Sequence, residues 1–218
     1  YFIPIVGFIL YLIIGQDYHK NKMFKAKEIE GELKYAVRRQ EETIYHRQLK
    51  MTSPALNRFR DLVLYNLEAG QAVLTDNNDI RIYTDGKEKF HALIEEMKRA
   101  KKYIHVQYYI IRNDEVWQDI EKVLIEKAHE GVEVRVLFDS MGCRTMHKRD
   151  WDRLKCEGIR VAEFFPAILG QLQMRVNYRN HRKIVVIDGK VGFVGGFNVG
   201  REYIGKDEKF GYWRDTHL

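Results

Sequence analysis

The sequence predicts an α/β layered domain that is preceded by a membrane-anchoring helix. Beyond residue 80, short apolar segments alternate with amphipathic segments, a pattern typical of strands separated by helices of about ten to fifteen residues. The chain opens with an uncharged apolar run over residues 1–15. The hydrophobic fraction of 45% in 218 residues supports a core and excludes a disordered chain.

Turn and cap residues mark where each element begins and ends. Asp85-Gly86 and Asn113-Asp114 precede predicted helices, and Asp188-Gly189 joins two apolar runs as a hairpin turn. Strands are predicted over 80–84, 103–111, 132–138, 159–164, 184–187 and 191–194, and helices over 55–69, 85–102, 114–129 and 145–156. The predicted organisation is a membrane segment over 1–23, a charged connecting helix within 24–54, and the α/β domain over 55–218.

The amino-terminal run is predicted to be the last part of a membrane span. Fifteen helical residues reach about 22 Å, against about 30 Å for a bilayer's hydrocarbon core, so we expect the span to begin before residue 1. Lysines follow the run without an intervening acid, at Lys20, Lys22, Lys25 and Lys27. This pattern predicts that the rest of the chain lies on the cytoplasmic side, beside anionic headgroups. A buried core helix stays open as an alternative, whereas a signal peptide would need a basic start and a small-residue cleavage site.

Charge and cysteine content restrict the class of partner and compartment. Thirty-seven Lys and Arg against 31 Asp and Glu give a net charge of +6, which suggests an anionic partner. Cys143 and Cys156 form neither a disulfide framework nor a CxxC pair, as expected in a reducing compartment. His129-Glu130 lacks the second histidine of a zinc-binding helix, so no metal is predicted there.

The stretch over residues 180–200 carries the predicted chemistry. His181 and Lys183 are two positions apart and, on a strand, project the same way. Gly195-Gly196 permits close backbone approach, and Asn198 follows with a donor amide. An imidazole, an ammonium and an amide beside an arginine-rich stretch predict a site for a phosphoryl group.

A neutral imidazole is a competent nucleophile near pH 7, and nearby cations lower its pKa further. Attack on phosphorus would give a phosphohistidine and divide one displacement into two easier ones. An isolated H-x-K is common, but the full pattern H-x-K-x4-D-x6-G-G-x-N is far more demanding. His105 and Gln107 share a strand face and either line the pocket or are structural.

These residues resemble the HKD motif of the phospholipase D superfamily. The motif positions are His181, Lys183, Asp188, Gly195, Gly196 and Asn198. The double glycine, together with the runs over 108–111, 179–183, 195–200 and 212–217, resembles bacterial cardiolipin synthases in particular. The resemblance covers nearly the whole chain, but only as the first half of such a protein. It implies a phospholipase D-like domain with a mixed β-sheet flanked by helices.

The resemblance also implies a reaction and roles for the residues. Cardiolipin synthases of this type join two phosphatidylglycerols, release glycerol, and need no cofactor or metal. His181 would be the nucleophile or its acid–base partner, while Lys183 and Asn198 would hold nonbridging oxygens. Gly195, Gly196 and Arg179 would bind the phosphate. Asp188 belongs to the motif but lies in the turn, where it is either catalytic or orients the loop.

The chain departs from the family in having one HKD motif where the site needs two. The second motif is expected in a missing carboxy-terminal half, or in a second copy related by a twofold axis. Residues 1–218 alone are therefore predicted to be inactive. The implied partners are phosphatidylglycerol and anionic membrane lipid, without nucleic acid, at the cytoplasmic face of a bacterial plasma membrane.

Other functions stay open at this point. Another HKD enzyme, a phospholipase D or a phosphatidylserine synthase, would share the fold and the motif, because fold alone does not choose the reaction. A nuclease fits poorly with a membrane anchor. A non-catalytic, membrane-tethered module that binds anionic lipid is the alternative from another class. The apolar loop over 164–170 either dips into the membrane or packs in the core.

Overall fold

A computed structural model describes residues 7–8, 29–45, 58–70, 72–75, 78–164 and 179–218. The chain divides into two compact units, Tyr1–Asp79 and Ile80–Leu218. Within the described residues, no helix has both the length and the apolar character that a membrane crossing requires. The predicted membrane segment, apart from residues 7 and 8, and the apolar loop that follows Phe164 lie outside the described residues.

Each helix and strand predicted after residue 24 has a counterpart, but the strand predicted over 80–84 begins only at Tyr83, and a 3-10 helix and a last strand were not predicted. In chain order the elements are α1 (Ile29–Tyr45), α2 (Arg60–Gly70), β1 (Tyr83–Asp85), α3 (Gly86–Arg99), β2 (Tyr103–Tyr108), α4 (Glu115–His129), β3 (Glu133–Asp139), α5 (Lys148–Cys156), β4 (Arg160–Phe164), β5 (Ile184–Ile187), β6 (Val191–Val194), a 3-10 helix (Arg201–Ile204) and β7 (Arg214–His217). The strand predicted over 103–111 ends at Tyr108, and Ile111 instead forms an isolated bridge with Val199.

The first unit is built on α1 and α2. Val37 and Leu67 are buried between these helices, and the side chain of Gln40 exchanges two hydrogen bonds with the backbone of Leu74, at 2.8 and 2.7 Å. The helix predicted over 55–69 therefore packs within this unit, whereas the sequence placed it in the α/β domain. The boundary that packing gives falls after Asp79.

The second unit is a mixed five-stranded sheet in the order β4-β3-β2-β5-β6. Strands β2, β3 and β4 are parallel, while β5 is antiparallel to both β2 and β6. A separate pair joins β1 to β7. The layered α/β architecture with a mixed sheet is confirmed, and the hairpin of β5 and β6 has the predicted bounds.

One face of the sheet carries the core. Along β2, Ile104, Val106 and Tyr108 are buried while the residues between them are half-buried, as the two-residue period of a strand requires. The buried face packs against apolar side chains of α3, α4 and α5, among them Leu93 and Ile120. The opposite face carries the half-buried side chains.

Aspartates fix the starts of the two longest helices of this unit. The Asp85 carboxylate accepts hydrogen bonds from the backbone N–H groups of Lys87 and Glu88. Asp114 does the same for Val116 and Trp117. These N-caps satisfy donors that a helix leaves free in its first turn, which is why both helices begin where the sequence predicts.

The strand directions bring four chain segments together at one end of the strands of the sheet. The carboxyl ends of β2, β3 and β6 meet the amino end of β5 there, because β5 alone among them runs in the opposite direction. Tyr109, Asp139, Gly195 and Lys183 stand at these four ends. The crevice outside the carboxyl ends of strands is where α/β sheets bind ligands.

Candidate active site

His181 and Lys183 form a close pair immediately before β5. The Lys183 Nζ lies 2.8 Å from His181 Nδ1 and 3.2 Å from Nε2, and it also donates to the His181 carbonyl oxygen at 2.8 Å. His181 is exposed, whereas Lys183 is only 4% exposed. An ammonium group is thus held against a solvent-accessible imidazole, and the two groups face the same way.

The surroundings lower the pKa of both groups, which favours a neutral His181 imidazole and makes the Lys183 ammonium easier to deprotonate. Burial lowers the pKa of Lys183 to about 8, although the charge of Asp215 opposes this shift. Burial, and then the charge of Lys183, lower the pKa of His181, against the opposing charge of Asp139. Near neutral pH the site therefore combines a nucleophile in its reactive form with a cation that can hold phosphoryl oxygens.

Tyr109 packs against the His181–Lys183 pair and the buried Asp139 acts on His181 through its charge, and neither was predicted from the sequence as a site residue. The Tyr109 and His181 rings are 4.5 Å apart between centroids, and the Lys183 Nζ lies 5.5 Å from the Tyr109 centroid. Both residues directly end or follow parallel strands. That position in the predicted strands was the available signal, since functional side chains gather at carboxyl ends.

Arg179 stands beside this site with its guanidinium group turned towards Asp139. Its Nη1 lies 3.7 Å from Asp139 Oδ1 and 3.4 Å from the Ser140 hydroxyl. The backbone N–H of Asn180 donates to the other carboxylate oxygen of Asp139. Asp139 therefore holds the chain segment that leads into His181. The predicted phosphate contact of Arg179 stays a prediction.

Asn198 is engaged within the protein rather than pointing freely into the site. Its Oδ1 accepts a hydrogen bond from the backbone N–H of Ile110 at 3.1 Å, and its Nδ2 donates to the Tyr203 hydroxyl at 3.0 Å. The residue is 5% exposed. Asn198 therefore fixes the chain segment that follows β2, and its predicted contact with phosphoryl oxygens stays a prediction.

Gly195 and Gly196 make room for β7. A Cβ atom on Gly196 would lie 1.9 Å from a carboxylate oxygen of Asp215, and one on Gly195 would lie 2.5 Å from the Cα of His217. Their backbone N–H groups donate to Lys183 and Thr216 carbonyl oxygens at 3.4 and 2.9 Å. The predicted close approach is present, with strand β7 as the neighbour, and the predicted phosphate contact of Gly195 and Gly196 stays a prediction.

Asp188 does not reach the His181–Lys183 pair. Its carboxylate accepts hydrogen bonds from the backbone N–H groups of Lys101, Lys102 and Tyr103, at 2.8, 2.8 and 2.9 Å. It stands at the far end of β5, about 16 Å from Lys183 at about 3.3 Å per residue. Of the two roles considered for Asp188, the geometry supports the one that orients the loop.

His105 and Gln107 also lie apart from the pair. They line a hollow of about 390 Å³ on the half-buried face of the sheet, and neither His181 nor Lys183 borders it. The His105 Nε2 lies 3.2 Å from a Glu133 carboxylate oxygen, and its ring stacks on Tyr103. The structural interpretation of His105 is the one that this geometry supports.

Beneath the site lie three buried polar side chains, Lys89, Tyr108 and His217, which were not predicted from the sequence as a group. Lys89 and His217 are both fully buried, and the Lys89 Nζ donates to the Tyr108 hydroxyl at 2.7 Å. Burial, and then the charges of Lys89 and Lys183, lower the pKa of His217 to about 3. His217 is therefore held as a neutral imidazole. Among the described residues, no cluster of His, Cys, Asp and Glu side chains is placed to hold a metal ion.

Comparison with known proteins identifies the class of this domain. The family model described as "Cardiolipin synthase, PLD-like domain" matches residues 93–209, which contain the mixed sheet and the HKD motif. The chain belongs to this family.

Several curated relatives match over the whole chain, among them two cardiolipin synthases. The chain is 46% identical over 218 residues to cardiolipin synthase 2 of Staphylococcus epidermidis, and 46% identical over 218 residues to the cardiolipin synthase of Oceanobacillus iheyensis. In both cases the match covers 100% of this chain and 45% of the relative. The chain therefore spans about half the length of these relatives. Among solved structures, NucT from Helicobacter pylori matches with a TM-score of 0.48 and 15% identity, over 63% of this chain and 82% of that one.

Proposed function

We propose that the chain is the first catalytic domain of a membrane-bound phosphatidyltransferase that forms cardiolipin and glycerol from two phosphatidylglycerols. The observation that carries the proposal is the 2.8 Å contact between the Lys183 ammonium and the exposed His181 imidazole. The names of the two relatives, at 46% identity, support the choice of cardiolipin as the product.

The reaction proceeds in two displacements at phosphorus. In the first, a histidine nitrogen attacks the phosphodiester of one phosphatidylglycerol, and the bond to glycerol breaks as a second histidine protonates the leaving oxygen. In the second, a hydroxyl of another phosphatidylglycerol attacks the phosphorus of the phosphohistidine, the bond between phosphorus and the histidine nitrogen breaks, and the hydroxyl proton passes to that second histidine. One phosphodiester replaces another, so no nucleotide is consumed.

Lys183 acts on the charge of the phosphoryl group. Its ammonium holds nonbridging oxygens as negative charge develops on them, at a site that the fold has already organised. Tyr109, whose ring packs beside His181, limits the positions that the imidazole can take. The negative charge of Asp215 opposes the loss of the proton from Lys183, and that of Asp139 acts in the same direction on His181.

The proposal needs a second histidine, which we place in a second HKD motif. The relatives extend well beyond the length that this chain covers, which leaves room for one. A second copy of the chain, paired across a twofold axis, is the other source. In either arrangement His181 is the nucleophile or the acid–base partner.

The product formed from labelled phosphatidylglycerol tests the reaction. The complete protein, reconstituted in vesicles, is expected to release glycerol and cardiolipin in equal amounts. Phosphatidic acid and glycerol would identify a hydrolase instead, and would overturn the transferase proposal while leaving the HKD chemistry intact.

A further inference from the structure

The loop between the 3-10 helix and β7 presents a cluster of aromatic side chains to solvent. Phe210 is 52% exposed and Tyr212 is 69% exposed. The half-buried Trp213 packs edge-on against Phe210 at 5.7 Å and against Tyr203 at 5.1 Å, between ring centroids. We call Phe210, Tyr212 and Trp213 the aromatic rim. Single exposed apolar residues are ordinary, but a contiguous apolar patch marks an interaction site.

Backbone hydrogen bonds give the loop a defined shape. Both Phe210 and Gly211 donate to the Asp207 carbonyl oxygen, at 3.2 and 2.8 Å. Gly205 and Gly211 adopt positive φ angles of 69° and 63°, which glycine tolerates without a steric cost. The rim is therefore held in place before any partner binds.

The rim is connected directly to the candidate active site. Trp213 packs on Tyr203, and the hydroxyl of Tyr203 accepts the hydrogen bond from Asn198. Two residues after Trp213, Asp215 lies against Gly196 and acts electrostatically on Lys183. A surface that binds the rim would therefore lie beside the His181–Lys183 pair.

The composition of the loop matches the interfacial region of a bilayer. Aromatic side chains concentrate at the level of lipid headgroups, where an apolar ring and a polar edge are both satisfied. Lys206 and Lys209 flank two acids, Asp207 and Glu208, on the same loop. Lys206 pairs with Glu115 at 3.5 Å, whereas the exposed Lys209 has its Nζ 5.6 Å from the Phe210 ring centroid. A lysine beside an aromatic ring at this level gains attraction from anionic lipids.

We propose that the aromatic rim inserts into the headgroup region of an anionic bilayer and brings lipid phosphates to the level of His181 and Lys183. This inference rests on the proposed function, because a lipid substrate stays in its membrane while its headgroup reacts. The rim would then determine the orientation of the domain on the membrane surface.

Tryptophan fluorescence offers a direct probe of this contact. The sequence has three tryptophans; Trp117 and Trp151 are buried, at 1% and 6% exposure, which leaves Trp213 as the accessible one. The complete protein is placed in vesicles of phosphatidylglycerol and phosphatidylcholine, with lipids that carry a quencher near the headgroup end of the acyl chain. The emission that Trp213→Phe removes belongs to Trp213, and we expect the lipid quencher to reduce that part of the wild-type emission.

Matched substitutions test whether the rim itself, and not exposed apolar residues in general, contacts the membrane. Phe210→Ser with Tyr212→Ser should lower the lipid quenching of Trp213 at least about threefold. Ile82→Ser, at a residue that is 66% exposed and lies just before β1, should leave it unchanged. Equal quenching in the rim variant and in the control would overturn the proposal.

A solvent quencher distinguishes the membrane from a protein partner. If another part of the complete protein covers the rim, Trp213 will be shielded from iodide without vesicles and from the lipid quencher with them, and the proposal fails. None of these readouts requires turnover. Cardiolipin formation without quenching of Trp213 would contradict only the proposed insertion of the rim into the membrane. Quenching without cardiolipin formation would contradict only the proposed function.

Discussion

At the scale of single residues, the chemistry depends on how Lys183 is held. Lys183 is almost fully buried, and its ammonium contacts an imidazole. Among the ion pairs of the described residues, none joins this ammonium to a carboxylate. Burial opposes its charge while the charge of Asp215 supports it. The result is a cation that titrates in an accessible pH range, which an exposed lysine does not do.

The pH dependence of turnover should report this environment. Lys183 loses its charge as the pH rises through about 8, so we expect kcat/KM of the complete protein to fall above that pH. In Lys183→Arg the guanidinium stays charged, and the alkaline limb should move up by more than about one pH unit even if the maximum rate is lower. An alkaline limb that is the same in both proteins would show that Lys183 does not set it.

Lys89 should leave a signature in stability rather than in chemistry. Burial lowers its pKa well below the ordinary value, so the unfolded chain binds a proton that the folded chain releases. Stability therefore rises with pH towards the unfolded pKa of about 10.4 and is lost as the pH falls. Urea unfolding between pH 7 and pH 10 should show a smaller rise for Lys89→Met than for the wild type.

This prediction concerns the change in stability with pH and not the stability at any one pH, because Lys89→Met also removes the partner of the buried Tyr108 hydroxyl. Lys87→Met on the same helix is the control, since Lys87 is exposed. A slope in Lys89→Met that matches the control would contradict the buried-amine interpretation.

At the scale of elements, the hairpin of β5 and β6 positions the active site from both ends. Its amino end leads from Lys183, and its turn is tied to the start of β2 by the Asp188 carboxylate. Asp188 itself has a positive φ of 55°, which a short polar side chain tolerates better than a bulky one. The motif aspartate thus acts on the site by fixing a strand.

Substitution of Asp188 should therefore affect folding more than chemistry. Backbone hydrogen bonds, that of Tyr103 foremost, lower the pKa of Asp188, so its stabilising contribution is present above pH 4 or so and is lost as the pH falls through the lowered pKa. We expect Asp188→Ala to lower the urea midpoint at pH 7, and the difference from the wild type to shrink at acid pH.

Asp119→Ala, at an exposed position on α4, is the control for Asp188→Ala and should leave the midpoint unchanged. Turnover of folded Asp188→Ala should stay within about tenfold of the wild type. A fully stable variant that has lost all turnover would instead restore a catalytic role for Asp188.

Local patterns predicted this part of the fold well. The two apolar runs and the Asp188-Gly189 turn defined the hairpin without any long-range information, and Asp85 and Asp114 defined two helix starts. The hydrogen-bond partners of Asn198 and Asp188 could not be predicted in this way. They are far along the chain, 88 residues away in the case of Asn198 and Ile110, and only the sheet order brings them together.

For the same reason, Tyr109, Asp139 and Asp215 could be assigned to the site only from the structure. Sequence spacing shows which residues share a strand face, but it does not give the order of strands in a sheet. The strand order β4-β3-β2-β5-β6 places the carboxyl end of β2 directly beside the start of β5, and the carboxyl end of β3 one strand further away. His181 and Lys183 were predictable as a pair because they are two residues apart.

At the scale of the whole molecule, the proposed reaction requires more than this chain. The matched length is 45% of each curated relative, and one HKD motif is present in the sequence. We therefore expect residues 1–218, verified as a monomer, to form no cardiolipin from labelled phosphatidylglycerol. Activity in a dimeric fraction alone would indicate that a second copy supplies the other histidine. Cardiolipin formation by the monomer would contradict the two-motif requirement.

The central claim, that His181 takes part in bond making at phosphorus, is tested most directly by His181→Asn in the complete protein. The measurement is glycerol release from labelled phosphatidylglycerol vesicles, with sedimentation to confirm that the variant still binds them, and His91→Asn at an exposed position as the control. We expect a fall in rate of at least about 100-fold with unchanged vesicle binding and a fully active control. Glycerol release by His181→Asn within twofold of the wild-type rate would contradict the account.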